Sequence, residues 1–277
     1  MYSDLDVIVK VFPNTKEWNT IRIYAIGDCH VGSEQFDTAA ETALKKKIQI
    51  IHDDPYGVVT LCGDLGDFGL RGSVTNPLRA TETPAQQIDH IYEMFEPIAD
   101  KIVSAVPGNH EQRLTKETGI DPLLSLTCRW HCENVYRENV AILKLLFGIR
   151  SNKTLASKKP QQNTFVGITT HGSSKNKNHK FNLCFDGIDW AVSGHCHQPS
   201  YSPHGKIRVN GHAGTAKHVA YKEIVVDANL TPGSYSLKKE YEIAPPPEIQ
   251  YLEMYIKRGP APDRTESKII NYHSIQL

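Results

Sequence analysis

The sequence predicts an α/β fold with a parallel sheet, and two observations carry the prediction. In the first half, short apolar runs alternate with longer segments of helical spacing, the pattern of strands joined by crossover helices. Five apolar runs along the chain also stop at or beside a glycine next to an Asp, Asn or His, so polar groups collect at one end of the predicted strands.

Taken in order, Leu5 to Phe12 and Ile21 to Ile26 read as strands, separated by a turn at Pro13-Asn14. Glu34 to His52 has helical spacing and good helix formers, and it ends at Asp53-Asp54-Pro55. Val58 to Cys62 is a short strand running into Gly63-Asp64. Thr83-Pro84 opens a helix reaching Asp100, with Ile88, Ile91, Phe95 and Ile98 on one face. Lys101 to Val106 is a strand that delivers Pro107-Gly108-Asn109-His110. Glu111 to Cys132 reads as two short helices broken at Gly119-Ile120-Asp121-Pro122. Asn139 to Phe147 and Thr164 to Thr170 are strands flanking a polar, basic stretch, and Ile188 to Val192 is a strand ending in Ser193-Gly194-His195-Cys196-His197. Beyond Lys206 the chain is strand-like, as in Val219 to Val226 and Glu248 to Ile256. The expectation is one domain over residues 1–257, its C-terminal strands completing a second sheet against the parallel one. Residues 258–277 read as a polar, loosely held tail.

Composition narrows the function classes. Lys and Arg together number 31, as do Asp and Glu, so no global field draws the protein to nucleic acid or a membrane surface. No apolar run approaches the ~20 residues of a membrane span, and Met1 is not followed by a secretory signal pattern, so a cytoplasmic location is the default expectation. Six cysteines in a 277-residue chain without that signal read as reduced thiols.

Five strand ends deliver groups that bind metals: Asp28 with His30, Asp64, Asn109 with His110, His171, and His195 with His197. A lone Gly-Asp is ordinarily a turn, and a lone buried His is usually a satisfied core residue. Five such elements, each at the carboxyl end of a strand where open α/β sheets gather their functional groups, are not explained by turn chemistry. Oxygen and imidazole donors suit borderline divalent ions such as Mn²⁺, Fe²⁺, Zn²⁺ or Ni²⁺. About seven such groups are too many for one ion that keeps a position open for water. Two ions ~3.5–4 Å apart, sharing a carboxylate, form a device for in-line displacement at phosphorus.

Gly27-Asp28-Cys29-His30, Gly63-Asp64-Leu65-Gly66-Asp67, Gly108-Asn109-His110-Glu111, Thr170-His171-Gly172 and Gly194-His195-Cys196-His197 resemble, in order, the five blocks of the calcineurin-like metallophosphoesterases. "GDLGD" and "GNHE" are similar to the corresponding blocks of small bacterial and phage members and of DNA-repair exonuclease relatives. The resemblance implies a four-layer αββα sandwich with a dinuclear site at its rim, and hydrolysis by attack of a metal-bridging hydroxide. It further implies that Asp28, His30 and His197 hold one ion and Asn109, His171 and His195 the other, with Asp64 bridging. Mn²⁺ is the first expectation for the pair, with Fe, Zn or Ni as alternatives. His110 is implied to be the catalytic residue that contacts the phosphate and stabilises charge or protonates the leaving oxygen, with Asn109 as a further substrate contact. Arg113, close behind "GNHE", is a candidate substrate contact or plain helical surface charge.

Neighbouring residues have plainer readings. Cys29 and Cys196 fill variable positions of their blocks and are expected to pack. Cys128, His131 and Cys132 in "CRWHC" lack a second Cys/His pair, which favours helix packing over zinc. Asp67 fits an orienting partner of a ligand or a turn carboxylate equally well, and His212 in "NGHAGT" is a candidate neighbour of the site. Three arginine- or lysine-bearing stretches, Gly69 to Arg79, Gly148 to Lys159 and Ser173 to Lys180, are candidate substrate loops or plain solvated loops. The expected activity is phosphodiester hydrolysis, a nuclease being one version and a nucleotide or other small diester another. The alternatives are a phosphomonoesterase, including a protein phosphatase, and a non-catalytic scaffold of the same fold.

Overall fold

The computed structural model describes residues 3–70, 79–148, 162–172, 185–210, 214–230, 247–259 and 266–277. The strands are β1 (Ile8–Val11), β2 (Thr20–Ile26), β3 (Gly57–Leu61), β4 (Ile102–Ala105), β5 (Val140–Phe147), β6 (Asn163–Thr170), β7 (Trp190–Ser193), β8 (Ser200–Asn210), β9 (Thr215–Val225), β10 (Glu248–Arg258) and β11 (Glu266–Gln276). The helices are α1 (Thr38–Asp53), α2 (Pro84–Phe95), α3 (Asn109–Thr118) and α4 (Pro122–Arg129). The strands form two sheets, one in the order β11-β10-β2-β3-β4 and the other β1-β5-β6-β7-β9-β8. This is the α/β sandwich implied by the motifs.

Local sequence sets the ends of the helices. Asp37 caps α1 by accepting from the Ala39 and Ala40 N–H groups, so the helix starts four residues later than the spacing from Glu34 suggests. Thr83 and Gln86 form a capping box at α2, with Pro84 in its first turn. That helix stops at Phe95 and tightens into a 3₁₀ turn through Lys101, short of the expected Asp100, because Pro97 has no N–H to continue the ladder. Gly119, at φ 76, ends α3, and the Asp121 side chain caps α4, where the two short helices were expected.

The sheets show three departures from the sequence reading. β1 is shorter than Leu5 to Phe12, because a turn from Ser3 to Asp6 precedes it, and it pairs with β5 in the sheet opposite β2. Of the C-terminal strands, β8 and β9 complete the second sheet as expected, but β10 runs antiparallel to β2, so β10 and β11 extend the parallel sheet. The second sheet comes from β1 and β5 to β9. Residues 266–276 are no tail: they pair antiparallel with β10 from Glu248↔Gln276 to Arg258↔Glu266. A tail and an edge strand can share the same polar composition, since an edge strand leaves one side in water.

Between the sheets, apolar residues from both form one continuous core, from Ile21, Ile23, Val59 and Leu61 to Leu143, Phe165 and Trp190. Within it lies a triangle of fully buried hydroxyls. Thr60 Oγ1 is 2.5 Å from Ser104 Oγ and 2.6 Å from Thr169 Oγ1, and the last two are 3.0 Å apart. It joins β3 and β4 of one sheet to β6 of the other. Each of these residues lies two to five positions before a strand-end motif, so the sheets are held in register just beneath the predicted site.

Candidate metal centre

The parallel strands β2, β3 and β4 all point their carboxyl ends the same way, and their loops interlock beyond the sheet. Asp28 N–H donates to the Gly63 carbonyl at 2.9 Å, His30 N–H to that of Asp64 at 3.0 Å, and Asp67 N–H to that of Val31 at 3.0 Å. Gly63 lies at φ 82, and a Cβ there would run into the Gly108 backbone, while a Cβ on Gly108 would overlap Asp64 Oδ1. Only glycine allows the second and third loops to approach this closely. Strands β6 and β7 of the other sheet bring His171 and the Gly194–His197 loop to the same place.

Seven non-glycine residues among those described have positive φ: Asp28, His30, Asp64, Phe68, His131, His195 and His197. Five of these are the predicted ligands Asp28, His30, Asp64, His195 and His197. Non-glycine residues hold this conformation only where the surroundings over-determine it, and such strain gathers at functional sites.

The structure brings all seven sequence-predicted ligands together. Asp28, His30 and His197 form one set whose donor atoms lie within 4.8 Å of one another, and Asp64, His171 and His195 form another. His30 Nε2 faces His197 Nε2 at 3.1 Å, and Asp28 Oδ1 lies 3.6 Å from His197 Nε2. In the second set, Asn109 Oδ1 lies 3.0 Å from His171 Nε2 and 2.8 Å from His195 Nδ1, and His171 Nε2 is 3.2 Å from Asp64 Oδ2. A third group, His30, Asp64 and His110, lies between them. Among the described residues these are the groups able to hold a metal, and Cys128, His131 and Cys132 are not among them.

The surroundings fit a cation. Asp28 Oδ1 is buried and has no hydrogen-bond partner among the described residues, although Oδ2 of the same carboxylate accepts from His195 N–H at 2.8 Å. His171 Nδ1 lies 2.7 Å from the Cys62 carbonyl, which fixes its proton there and turns Nε2 to the cluster. Burial, reinforced by neighbouring imidazoles, holds His30 well below the ordinary histidine range and His197 at about 4, so both are neutral near pH 7, as a ligand must be. Burial alone would lower His171 too, but the Asp64 carboxylate outweighs it and pushes this imidazole up to about 10.

His110 stands apart from the ligand pairs. Its Nδ1 is 2.6 Å from the Asp67 carbonyl oxygen, which leaves Nε2 facing the cluster, 3.9 Å from Asp64 Oδ2. Asp67, read from the sequence as a ligand-orienting group or a turn, is buried and orients His110. Arg113 donates to the same Asp67 carbonyl at 3.1 Å and lies 2.8 Å from His110 Nδ1. Cys29 is buried and directs its thiol to the Gly27 carbonyl, and Cys196 directs its own to the Gln198 carbonyl, so both pack as expected. Arg79 is exposed and pairs with Glu34. His212, residues 71–78, 149–159 and 173–180 lie outside the described residues.

Sequence reasoning passed over Glu111. It is buried, and its carboxylate accepts from the N–H groups of Asp64 at 2.8 Å, Leu65 at 2.7 Å and Gly108 at 2.8 Å, tying the second loop to the third. Its position in the first turn of α3, three residues after Gly108, was the available signal.

Residues 21–199 match the family model of the calcineurin-like phosphoesterases. The chain belongs to that family. No curated protein matches it. Solved structures similar to this phosphoesterase-family chain include Vps29 of Chaetomium thermophilum, at 8% identity and a TM-score of 0.38, covering 92% of this chain and 98% of that one. GAP50, described as the anchor in the inner membrane complex of Plasmodium, is similar at 10% identity and a TM-score of 0.44, covering 93% of this chain and 88% of its own. Among the described residues no helix is long and apolar enough to cross a membrane.

Proposed function

We propose that the protein is a dinuclear metal-dependent phosphoesterase acting on phosphodiesters. The observation that carries this reading is the pair of donor sets, Asp28-His30-His197 and Asp64-His171-His195 with Asn109, gathered at the ends of five strands with Asp64 between them. Bound there, two divalent ions supply Lewis-acid neutralisation of phosphoryl oxygens and a water activated for in-line attack.

The chain's own residues supply the rest. Asp28, His30 and His197 would hold the first ion and Asn109, His171 and His195 the second, with the Asp64 carboxylate in reach of donors from both sets. Oxygen and imidazole donors without thiolate suit borderline divalent ions such as Mn²⁺, Fe²⁺, Zn²⁺ and Ni²⁺. His110, its Nδ1–H held on the Asp67 carbonyl, keeps Nε2 toward the cluster, where it contacts the phosphate and gives a proton to the leaving oxygen. Arg113, on the Nδ1 side of the His110 ring, donates to the same Asp67 carbonyl and helps fix the ring's orientation.

Equal numbers of acidic and basic residues leave little long-range pull on a polyanion, which favours small diesters over tight non-specific nucleic-acid binding. The test is hydrolysis of bis-p-nitrophenyl phosphate, p-nitrophenyl phosphate and a single-stranded oligonucleotide, each with Mn²⁺, Ni²⁺, Zn²⁺ and Mg²⁺. Faster turnover of the diester supports the proposal, and cleavage of the oligonucleotide makes the enzyme a nuclease. Preference for the monoester replaces it with a phosphatase, and inertness with every metal leaves a scaffold.

A further inference from the structure

Helix α1 turns Ala40, Leu44, Ile48 and Ile51 into the core, and with them a lysine, Lys47. Its side chain is 4% exposed and that of its partner Asp227 is 5% exposed. Lys47 Nζ donates to both Asp227 carboxylate oxygens at 2.9 Å, and Oδ2 also accepts from Glu248 N–H at 2.9 Å. Neither residue belongs to a recognised motif, and neither is a metal ligand in the proposed site.

The pair anchors a short segment that ends at the site. Immediately after β9, Val226 N–H donates to the Ser193 carbonyl at 2.8 Å, beside the Gly194–His197 loop. Asn229 N–H donates to the Asp28 carbonyl at 3.1 Å, and the buried Asn229 Nδ2 to the Ala40 carbonyl at 2.6 Å. Residues 226–229 are thus tied to β7, twice to α1, to the start of β10 and to Asp28. Asp28 itself sits at φ 51, a conformation that needs outside support. Its N–H is taken by Gly63, its carbonyl by Asn229 and its Oδ2 by His195, which aims the remaining Oδ1 at His197. The second set has supports of its own, namely Glu111 across the Asp64 and Gly108 loops and the Cys62 carbonyl on His171, although its His195 N–H is also held by Asp28 Oδ2.

We propose that the buried Lys47–Asp227 pair, acting with Asn229, is a positioning device that holds the Asp28 loop and sets the affinity of the first ion without setting that of the second. The proposal rests on the two-metal reading above. Buried ion pairs add little stability compared with apolar replacements, so their presence is best explained by the geometry they enforce. Groups standing behind ligands typically govern metal affinity by 10–100-fold.

The test is calorimetric titration of Mn²⁺ into Lys47→Met, Asp227→Asn, Asn229→Ala and the double variant Lys47→Met/Asp227→Asn, with circular dichroism and the melting temperature of each as the check on folding. Each is made in a His171→Ala background, which reports the first set, and a His197→Ala background, which reports the second. The double variant leaves no unpaired buried charge, so it and Asn229→Ala keep the test open if a single charge removal prevents folding. The expected result is Mn²⁺ affinity about 10–100-fold weaker for the first set and changed by less than about threefold for the second. Equal weakening of both sets makes the pair a general support of the fold and overturns the proposal, as does an unchanged first set in a folded variant. A parent chain that takes up no Mn²⁺ removes the two-metal reading itself, an outcome distinct from a parent that binds two ions and variants that lose none.

Discussion

The two halves of the metal centre are built by different means. In the first set, Asp28, His30 and His197 all sit on left-handed backbone in loops past the strand ends. In the second, Asn109 opens helix α3 and His171 directly follows β6, and of that set's imidazole ligands only His195 has positive φ. Regular elements hold Asn109 and His171 in place, and only His195 and the shared Asp64 are on left-handed backbone, whereas every residue of the first set depends on its neighbours to keep a conformation it would not adopt alone. Of the two, the first half is therefore the one exposed to changes elsewhere in the molecule.

The largest effect should come from the residue both halves share. Asp64→Asn removes the central negative charge, so metal content should fall at both sets and turnover by about 10³-fold or more. Elemental analysis that finds two tightly held ions in this variant would refute the shared role. His110→Ala should keep both ions and lose about 10²–10⁴-fold in rate, with a smaller loss on p-nitrophenyl esters, whose leaving group needs no proton. An emptied metal site, or equal slowing of activated and unactivated substrates, would count against a proton-donating His110.

Separating the halves calls for His197→Ala and His171→Ala, each expected to bind one ion where the parent binds two. The second set should also respond to pH. His171, held at about 10, must lose its proton to bind, so the affinity of that set should rise by about tenfold per unit between roughly pH 6 and 8. His197, held at about 4, is already neutral there and adds no such slope. Mn²⁺ titrations at several pH values that show a flat second set would contradict this. The smallest effect concerns strain away from the centre. His131 is exposed and has φ 56 without belonging to either set, so His131→Gly should raise stability by up to about 1 kcal/mol and leave metal content and rate alone. A lower melting temperature would show that this backbone is held for some other purpose.

Much of this was legible in the sequence because strand ends and glycines leave local marks. The Gly27-Asp28 and Gly63-Asp64 pairs announce both the turn and a candidate donor, and all seven side chains that gather at the site could be read from such blocks. Long-range pairing leaves no such mark. Nothing in Glu248 to Ile256 says that β10 joins β2, and the polar residues 266–276 gave no hint of an edge strand. The burial of Lys47 is not legible in the helical spacing of Glu34 to His52, because a buried lysine is rare and the aspartate that permits it lies 180 residues away. Glu111 was visible as a motif residue, but its three backbone partners lie in loops that only the fold brings together.

The donors are divided between the sheets: Asp28, His30, Asp64 and Asn109 follow strands of one, and His171, His195 and His197 follow strands of the other. An ion held by the first set, or by the second, is therefore a cross-link between the two halves of the sandwich. Loading and folding then share one free energy, with ions present at about 1,000 times their dissociation constant contributing about 4 kcal/mol to the folded state. On the two-metal reading, a chelator would remove that contribution and lower the melting temperature by loosening one sheet from the other.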